Sequence, residues 1–440
     1  MITASPIQAP GLHSLRPSSR YPGLEPALLF RFTPAPMRSR CRPHPAASLF
    51  FVFLALGSAA LAGAAEAAGP PGDPVANALS TLASVGPEGE GNEEAAAAWK
   101  IIAAAGASQL PQLLAALDQG NPLSANWIAS AAEAIASRER TAGRPLPIAT
   151  LGDILLDTSR SPHARRLAFD LIHSVEPDAA NQLIPGFLND PAVELRRPAV
   201  QGLIDEASRQ QTAGQPGPAA LLFRQALQSA RDVDQIELIA ERLGVLGQEV
   251  DLPRHFGFLT EWKVIGPFHN QDRSGFDAAF PPEEGISLDV SLPGKEGAVQ
   301  WIDYRTTDRH GMVDLNQPLG MLKEVTGYAW TEFISDSTQP AELRLGSKNA
   351  WKVWLNGELL FGRDEYHRGI RIDQYRMPCQ LREGRNEILV KLCQNEQVED
   401  WTVEWQFQLR VCDASGTAIL STGRPATPEE TRRPVRASSS

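Results

Sequence analysis

The sequence predicts a multidomain α plus β protein, with an irregular α-helical solenoid over residues 93–252 and an antiparallel β-sandwich over 253–422. Three observations carry that reading. Ala- and Leu-rich segments with apolar residues at helical spacing, separated by Pro, Gly, Asp and Asn, fill the first stretch. Short alternating runs broken by turn residues fill the second, with no helical pattern between them. Seven of nine Trp and four of five Tyr lie beyond residue 252, where the two patterns change over.

Composition sets the outer bounds. With 440 residues, 42% of them hydrophobic and 21% charged, the chain has enough apolar material for two cores. A wholly disordered, collagen-like or polytopic membrane protein is excluded. The formal charge of −11 argues against nucleic acid as a partner. Four cysteines are too few for a disulfide-built scaffold.

The amino-terminal region reads as an address. Residues 1–36 are Pro-, Ser- and Arg-rich without apolar periodicity, and are expected to be a non-native or disordered extension ahead of a true start at Met37. Arg38, Arg40 and Arg42 then form a basic region, Leu49 to Leu56 an apolar one, and small residues follow, with candidate cleavage sites after Ala62, Ala64 or Ala67. That order predicts a signal peptide over 37–67, hence an exported, periplasmic or extracellular protein with no membrane span after cleavage. Export removes Cys41 and leaves Cys379, Cys393 and Cys412, which allow one bridge at most. Cys393 follows the apolar run 388–392 and is expected to be core. Residues 68–92 read as a linker, and 423–440 as a disordered tail.

Within the helical half, Arg165-Arg166-Leu167-Ala168-Phe169 matches Arg196-Arg197-Pro198-Ala199-Val200 at an offset of 31 residues, and Ile172 lines up with Leu203. Each copy opens on a capping residue followed by Pro, Ser161-Pro162 and Asp190-Pro191. The stretch 190–197 resembles the start of a HEAT-type repeat, and 219–227 is similar to a tetratricopeptide helix. Such helix pairs bury their apolar faces only by stacking on neighbours. A non-repeating bundle would show the same periodicity.

In the second half, strands are expected at Trp262–Ile265, Ala341–Leu345, Trp351–Leu355, Glu387–Leu392 and Thr402–Leu409. Asn356-Gly357 and Glu383-Gly384-Arg385-Asn386 supply the turns, since Asn and Gly tolerate positive φ. The ordered set 353–361, Tyr366-His367-Arg368-Gly369 and 381–392 resembles the galactose-binding-like jelly roll that precedes the catalytic barrel of β-galactosidase-type and β-glucuronidase-type glycoside hydrolases. The resemblance implies an eight-stranded jelly-roll β-sandwich over roughly 255–415, a fold that is often scaffold alone. No catalytic barrel pattern follows it, so the expectation is not such a hydrolase.

Sugar binding needs an aromatic face and polar groups for hydroxyls. The candidates are Trp354, Asn356, Arg363, Asp364 and Tyr366, together with His367, Arg371, Asp373 and Tyr375. Strand alternation over 370–375 would put Arg371, Asp373 and Tyr375 on one face. The plainer alternative, which the sequence favours, is a polar outer face joined by an Arg371–Asp373 contact, with the Trp residues in the core.

Other chemistry has weak support. Asn270, Asp272, Ser274 and Gly275 match the start of an EF-hand loop, but position twelve is Pro281 instead of a bidentate Glu. No cofactor is expected, and a structural calcium has no place assigned. Asp364 and Glu365 beside His367 offer acid–base groups, but neighbours on a strand point apart. His163 and His173 lie about 15 Å apart along a helix. No complete catalytic motif is present. The expected function is a non-catalytic extracytoplasmic interaction protein, its helical repeats binding protein and its sandwich binding glycan or a partner. The alternative is an accessory subunit or uncharacterised enzyme of polysaccharide breakdown.

Overall fold

A computed structural model describes residues 73–119 and 121–422. The upstream extension, the signal peptide, the start of the lead-in and the tail all lie outside the described residues.

Among the described residues, eleven α-helices occupy the first half: α1 (Pro74–Ala83), α2 (Asn92–Ala103), α3 (Leu110–Ala116), α4 (Pro122–Thr141), α5 (Ile148–Leu156) and α6 (Pro162–His173), then α7 (Pro177–Leu183), α8 (Val193–Thr212), α9 (Pro216–Ser229), α10 (Val233–Val245) and α11 (Leu252–Phe256). Three of them start the same way. The side chains of Asp73, Asn121 and Ser161 accept backbone N–H groups of Val75, Ser124 and Ala164 at 3.0, 2.8 and 3.1 Å, each with Pro at the first helical position. The linker expected up to residue 92 is therefore corrected: α1 buries Val75, Ala78, Leu79 and Leu82 in the same core as α2 and α4.

One apolar core runs from Val75 to Ala199 and a second from Val200 to Phe258, so the adjacent residues Ala199 and Val200 on α8 serve different cores. The repeated pair of arginines has matching roles. Arg165 Nε donates to Leu155 O at 2.8 Å and Arg196 Nε to Asp190 O at 2.7 Å, both buried. The second copy departs from its expected start. Asp190 does not cap a helix, because its carboxylate is held by both guanidinium nitrogens of Arg165 at 2.6 Å and by Ala192 N–H, and α8 begins only at Val193. Pro198 within α8 leaves the Glu194 carbonyl without its helical donor, and Arg166 Nη1 from α6 donates to it at 3.2 Å.

Antiparallel strands fill the second half: β1 (Glu261–His269), β2 (Leu292–Gly294), β3 (Gly297–Val299), β4 (Ile302–Arg305), β5 (Val313–Asp314) and β6 (Val325–Ser335), then β7 (Gln339–Ser347), β8 (Ala350–Leu355), β9 (Glu358–Arg363), β10 (Tyr375–Leu381), β11 (Gly384–Gln394) and β12 (Gln406–Cys412). A six-stranded sheet has the order β4-β1-β6-β11-β8-β9, and a four-stranded sheet the order β10-β7-β12-β5. Both contribute to one core: Val264, Trp351, Val353 and Val390 from the first, Leu343, Leu345, Phe407 and Leu409 from the second. The far side of the larger sheet carries Ile265, Phe268, Tyr328, Trp330, Trp354 and Leu389, covered by the segment containing Phe280, Leu288 and Trp301. A one-turn helix, α12 (Pro281–Glu284), fixes that cover: the fully buried Lys391 ammonium meets Glu283 at 2.8 Å, and Tyr328 donates to the same carboxylate.

Two strand expectations are corrected. β12 begins at Gln406, not Thr402, because Thr402 closes a turn, its backbone N–H donating to Glu399 O at 2.8 Å. The stretch 370–374 is not strand, and β10 begins only at Tyr375. The expected hairpin is present: Asn356 and Gly357 take φ of 55° and 83°, and Asn356 Oδ1 accepts Glu387 N–H at 3.0 Å. Cys379, Cys393 and Cys412 are all free thiols, each pushed up to about 11 by burial.

Candidate functional site

β9 ends one sheet at its edge and β10 ends the other, and residues 364–374 cross from the first to the second. At this open edge lies a cleft of about 410 Å³ lined by Arg363, Glu365, Arg368, Gly369, Arg371, Gln374 and Tyr375. Its aromatic wall is Tyr375, whose ring centroid lies 4.9 Å from that of the buried Trp351 at an interplanar angle of 59°. The Tyr375 hydroxyl donates to Glu365 Oε2 at 3.3 Å, and Arg368 Nε meets the same oxygen at 3.2 Å. Burial and then the Glu365 carboxylate raise the Tyr375 hydroxyl above its ordinary range, so it stays a donor. Gln374 is fixed at both ends, accepting Ser347 N–H at 3.2 Å and donating to Gly369 O at 3.1 Å. The Arg363 guanidinium lies 5.2 Å over the Phe361 ring, and neither Arg363 nor Arg371 forms an ion pair among the described residues. An aromatic face, a carboxylate and several planar donors thus converge on one concavity.

The nine residues singled out by sequence do not form one site. Arg363, Arg371 and Tyr375 meet in the cleft. Asp373 does not share their face, because it takes a left-handed φ of 59° in a turn, and its carboxylate is gripped by Arg410 at 2.6 Å and Arg344 at 2.7 Å. The expected Arg371–Asp373 contact is replaced by this pairing. Burial by itself would raise the Asp373 carboxyl, but Arg410 and Arg344 hold it below the usual carboxylate range.

Trp354 packs in the covered cluster on the outer side of the larger sheet, and Asn356 is a hairpin residue. Tyr366 and His367 turn the other way. The Tyr366 hydroxyl accepts from Asn270 Nδ2 at 3.2 Å, and His367 Nε2 lies 2.9 Å from Asn395 Oδ1. Asp364 is exposed, and partial burial followed by Asp277 raises its carboxyl. In the loop that resembles an EF-hand start, Asn270 Oδ1 accepts Gly275 N–H at 3.0 Å, and among the described residues no three His, Cys, Asp or Glu side chains are placed to hold a metal ion.

Sequence reasoning missed three groups. Arg368 and Gln374 lie between recognised candidates, and the density of arginines at 363, 368 and 371 was the available signal. Trp401 is 59% exposed, edge-on to His367 at 5.2 Å, on a loop whose polar run Glu399-Asp400 marks it as non-strand.

A second cavity, of about 430 Å³, lies between the helical half and the sandwich, lined among others by Arg197, Arg231, Arg344, Asp232 and Asp373. Arg197 is paired there with Asp232 and Asp234, and Arg344 with Asp373, while Arg231 donates to Thr417 Oγ1 and to the carbonyls of Gln228 and Ala230.

No protein-family model matches the chain, and no curated protein matches it. Solved structures similar in part are a β-glucosidase from Kluyveromyces marxianus in complex with glucose (12% identity, 34% of this chain and 16% of that one, TM-score 0.22), a family 35 carbohydrate binding module from Clostridium thermocellum (13%, 20% and 72%, TM-score 0.15) and an FMN-binding β-glucuronidase from Facaelibacterium prausnitzii (16%, 34% and 21%, TM-score 0.20). The matched region spans well under two thirds of the length of the glucosidase and of the glucuronidase. These neighbours are glycoside hydrolases and a carbohydrate binding module, and the likeness is slight.

Proposed function

We propose that this is a non-catalytic, exported interaction protein whose β-sandwich, a galactose-binding-like jelly roll, binds carbohydrate in the cleft between β9 and β10. The observation that carries the reading is the Tyr375 ring, braced by Trp351 and surrounded by fixed polar groups. A sugar ring stacks on such a face, while Glu365, Gln374 and the arginines meet its hydroxyls. The helical half acts as an irregular solenoid that engages a protein partner, a role to which the exposed Leu156, Leu221 and Val245 are suited. Screening the purified full chain on a glycan array, followed by assay of the bound glycans for released sugar, tests the reading. Binding without release supports it.

The second reading is an accessory subunit or enzyme of polysaccharide breakdown. It draws on Asp364, whose raised carboxyl lies near a second one, Asp277. A carboxyl raised by burial and by a neighbouring carboxylate is the kind of group from which glycoside hydrolysis draws its acid. Sugar release by wild type that Asp364→Asn abolishes favours this reading.

A further inference from the structure

The cleft carries more positive charge than neutral sugar recognition needs. Arg363, Arg368 and Arg371 line it against a single carboxylate, Glu365, which is engaged by Arg368 at 3.2 Å. Arg363 and Arg371 are exposed and have no carboxylate partner among the described residues, so both forks are free to meet a ligand. We infer that the cleft selects a sugar bearing an anionic substituent, a carboxylate or a sulfate ester, an inference that rests on the glycan reading above.

Three physical points support it. A guanidinium is planar and always charged, and it binds carboxylate or sulfate oxygens through two parallel N–H bonds that a neutral hydroxyl does not match. Two forks lining the same cleft as the Tyr375 ring suit a pyranose ring stacked on that face with its anionic group turned toward an arginine. The charge is also local. The whole chain carries −11, so general attraction of polyanions is absent, and at physiological salt repulsion from remote acids is screened beyond about 8 Å. What attracts an anion here is the cleft itself. Glu365 disfavours an anion beside it, which leaves the charged substituent to Arg363 and Arg371.

The test is isothermal titration of the full chain with three tetrasaccharides: a galacturonate oligomer, a sulfated galactose oligomer and a neutral galactose oligomer. At least one anionic oligomer is expected to bind at least tenfold tighter than the neutral one, with an advantage that shrinks between 50 and 300 mM salt. Arg363→Gln and Arg371→Gln are expected to remove the advantage, weakening the anionic oligomer far more than the neutral one, with the melting temperature unchanged. Tighter binding of the galacturonate assigns a carboxylate, and of the sulfated oligomer a sulfate ester. Equal binding of neutral and anionic oligomers overturns the inference and leaves the glycan reading standing. A preference that survives both substitutions overturns the assignment to these arginines. If no oligomer binds, both the inference and the glycan reading fall.

Discussion

Tyr375 stands against Trp351 with ring centroids 4.9 Å apart, and this contact ties the cleft wall to the core between the two sheets. Trp351 is 1% exposed on β8, whereas Tyr375 opens β10 at the sandwich edge and keeps part of its surface toward the cleft. The exposed side of the ring is therefore held by packing, not by a loop. A pre-positioned aromatic side chain loses little freedom on binding.

The buried pair on which the helical half turns is Arg165–Asp190. Each side chain is under 9% exposed, and two 2.6 Å hydrogen bonds join them. Removing one partner of such a pair strands the other charge, at a cost of about 3–5 kcal/mol. Asp190→Ala is therefore expected to lower the urea midpoint of the full chain strongly. Arg166→Ala, at the half-buried neighbour whose Asp170 partner faces solvent, is expected to change it by less than about 1 kcal/mol. Equal effects would contradict the assigned roles.

Asp373 is the second such point. Its carboxylate neutralises Arg344 and Arg410, which are 4% and 3% exposed. Asp373→Ala leaves both charges unanswered except for Glu342 on Arg344, and a destabilisation of about 3–5 kcal/mol is expected by thermal or urea melting. Arg371→Gln, two residues away and exposed, is expected to leave the melting temperature within a degree or two. A stable Asp373→Ala protein would mean that the pairing contributes little.

His255 makes stability depend on pH. Burial, then Arg231 and Arg410, hold it at about 4 against its ordinary 6.5, so it stays neutral in the folded protein at neutral pH. As pH falls below 6.5, the unfolded chain binds this proton before the folded one does. Stability that is fully present above pH 6.5 is therefore lost between 6.5 and 4. Melting between pH 7 and 4.5 is expected to fall more for wild type than for His255→Gln, by about 1–2 kcal/mol. Parallel profiles would show that His255 is not the group responsible.

The broad organisation was legible because periodicity reports burial. The change from helical spacing to alternation near residue 252 matches the passage from α11 to β1. Ser161-Pro162 was readable as a cap, since capping needs only local atoms. Asp190-Pro191 had the same local signature and a different fate, because a distant arginine outcompeted the helix for its carboxylate. The linker was misread for a related reason: Gly and Pro at 69–74 and 86–91 conceal the short apolar stripe of α1, whose place is fixed only by packing on α2 and α4.

The site was less legible. Alternation over 370–375 assumed strand, whereas the φ of 59° at Asp373 reverses the chain and sends its carboxylate to Arg344 and Arg410. The nine candidates were grouped by closeness in sequence, and a crossover between two sheets deals neighbouring residues to different sides. Trp351, read as one strand aromatic among several, proved to be the support of the cleft.

We propose that the cleft between β9 and β10 binds sugar through Tyr375. The most direct test is isothermal titration of wild type, Tyr375→Phe and Tyr375→Ala with the oligosaccharide that binds best on the glycan array, alongside their melting temperatures. Losing the stacking face costs about 1 kcal/mol or more. Tyr375→Ala is thus expected to bind at least fivefold more weakly while Tyr375→Phe keeps most of the affinity, both remaining folded at 25 °C. Unchanged affinity in folded Tyr375→Ala, or the absence of any bound glycan on the array, would contradict the account.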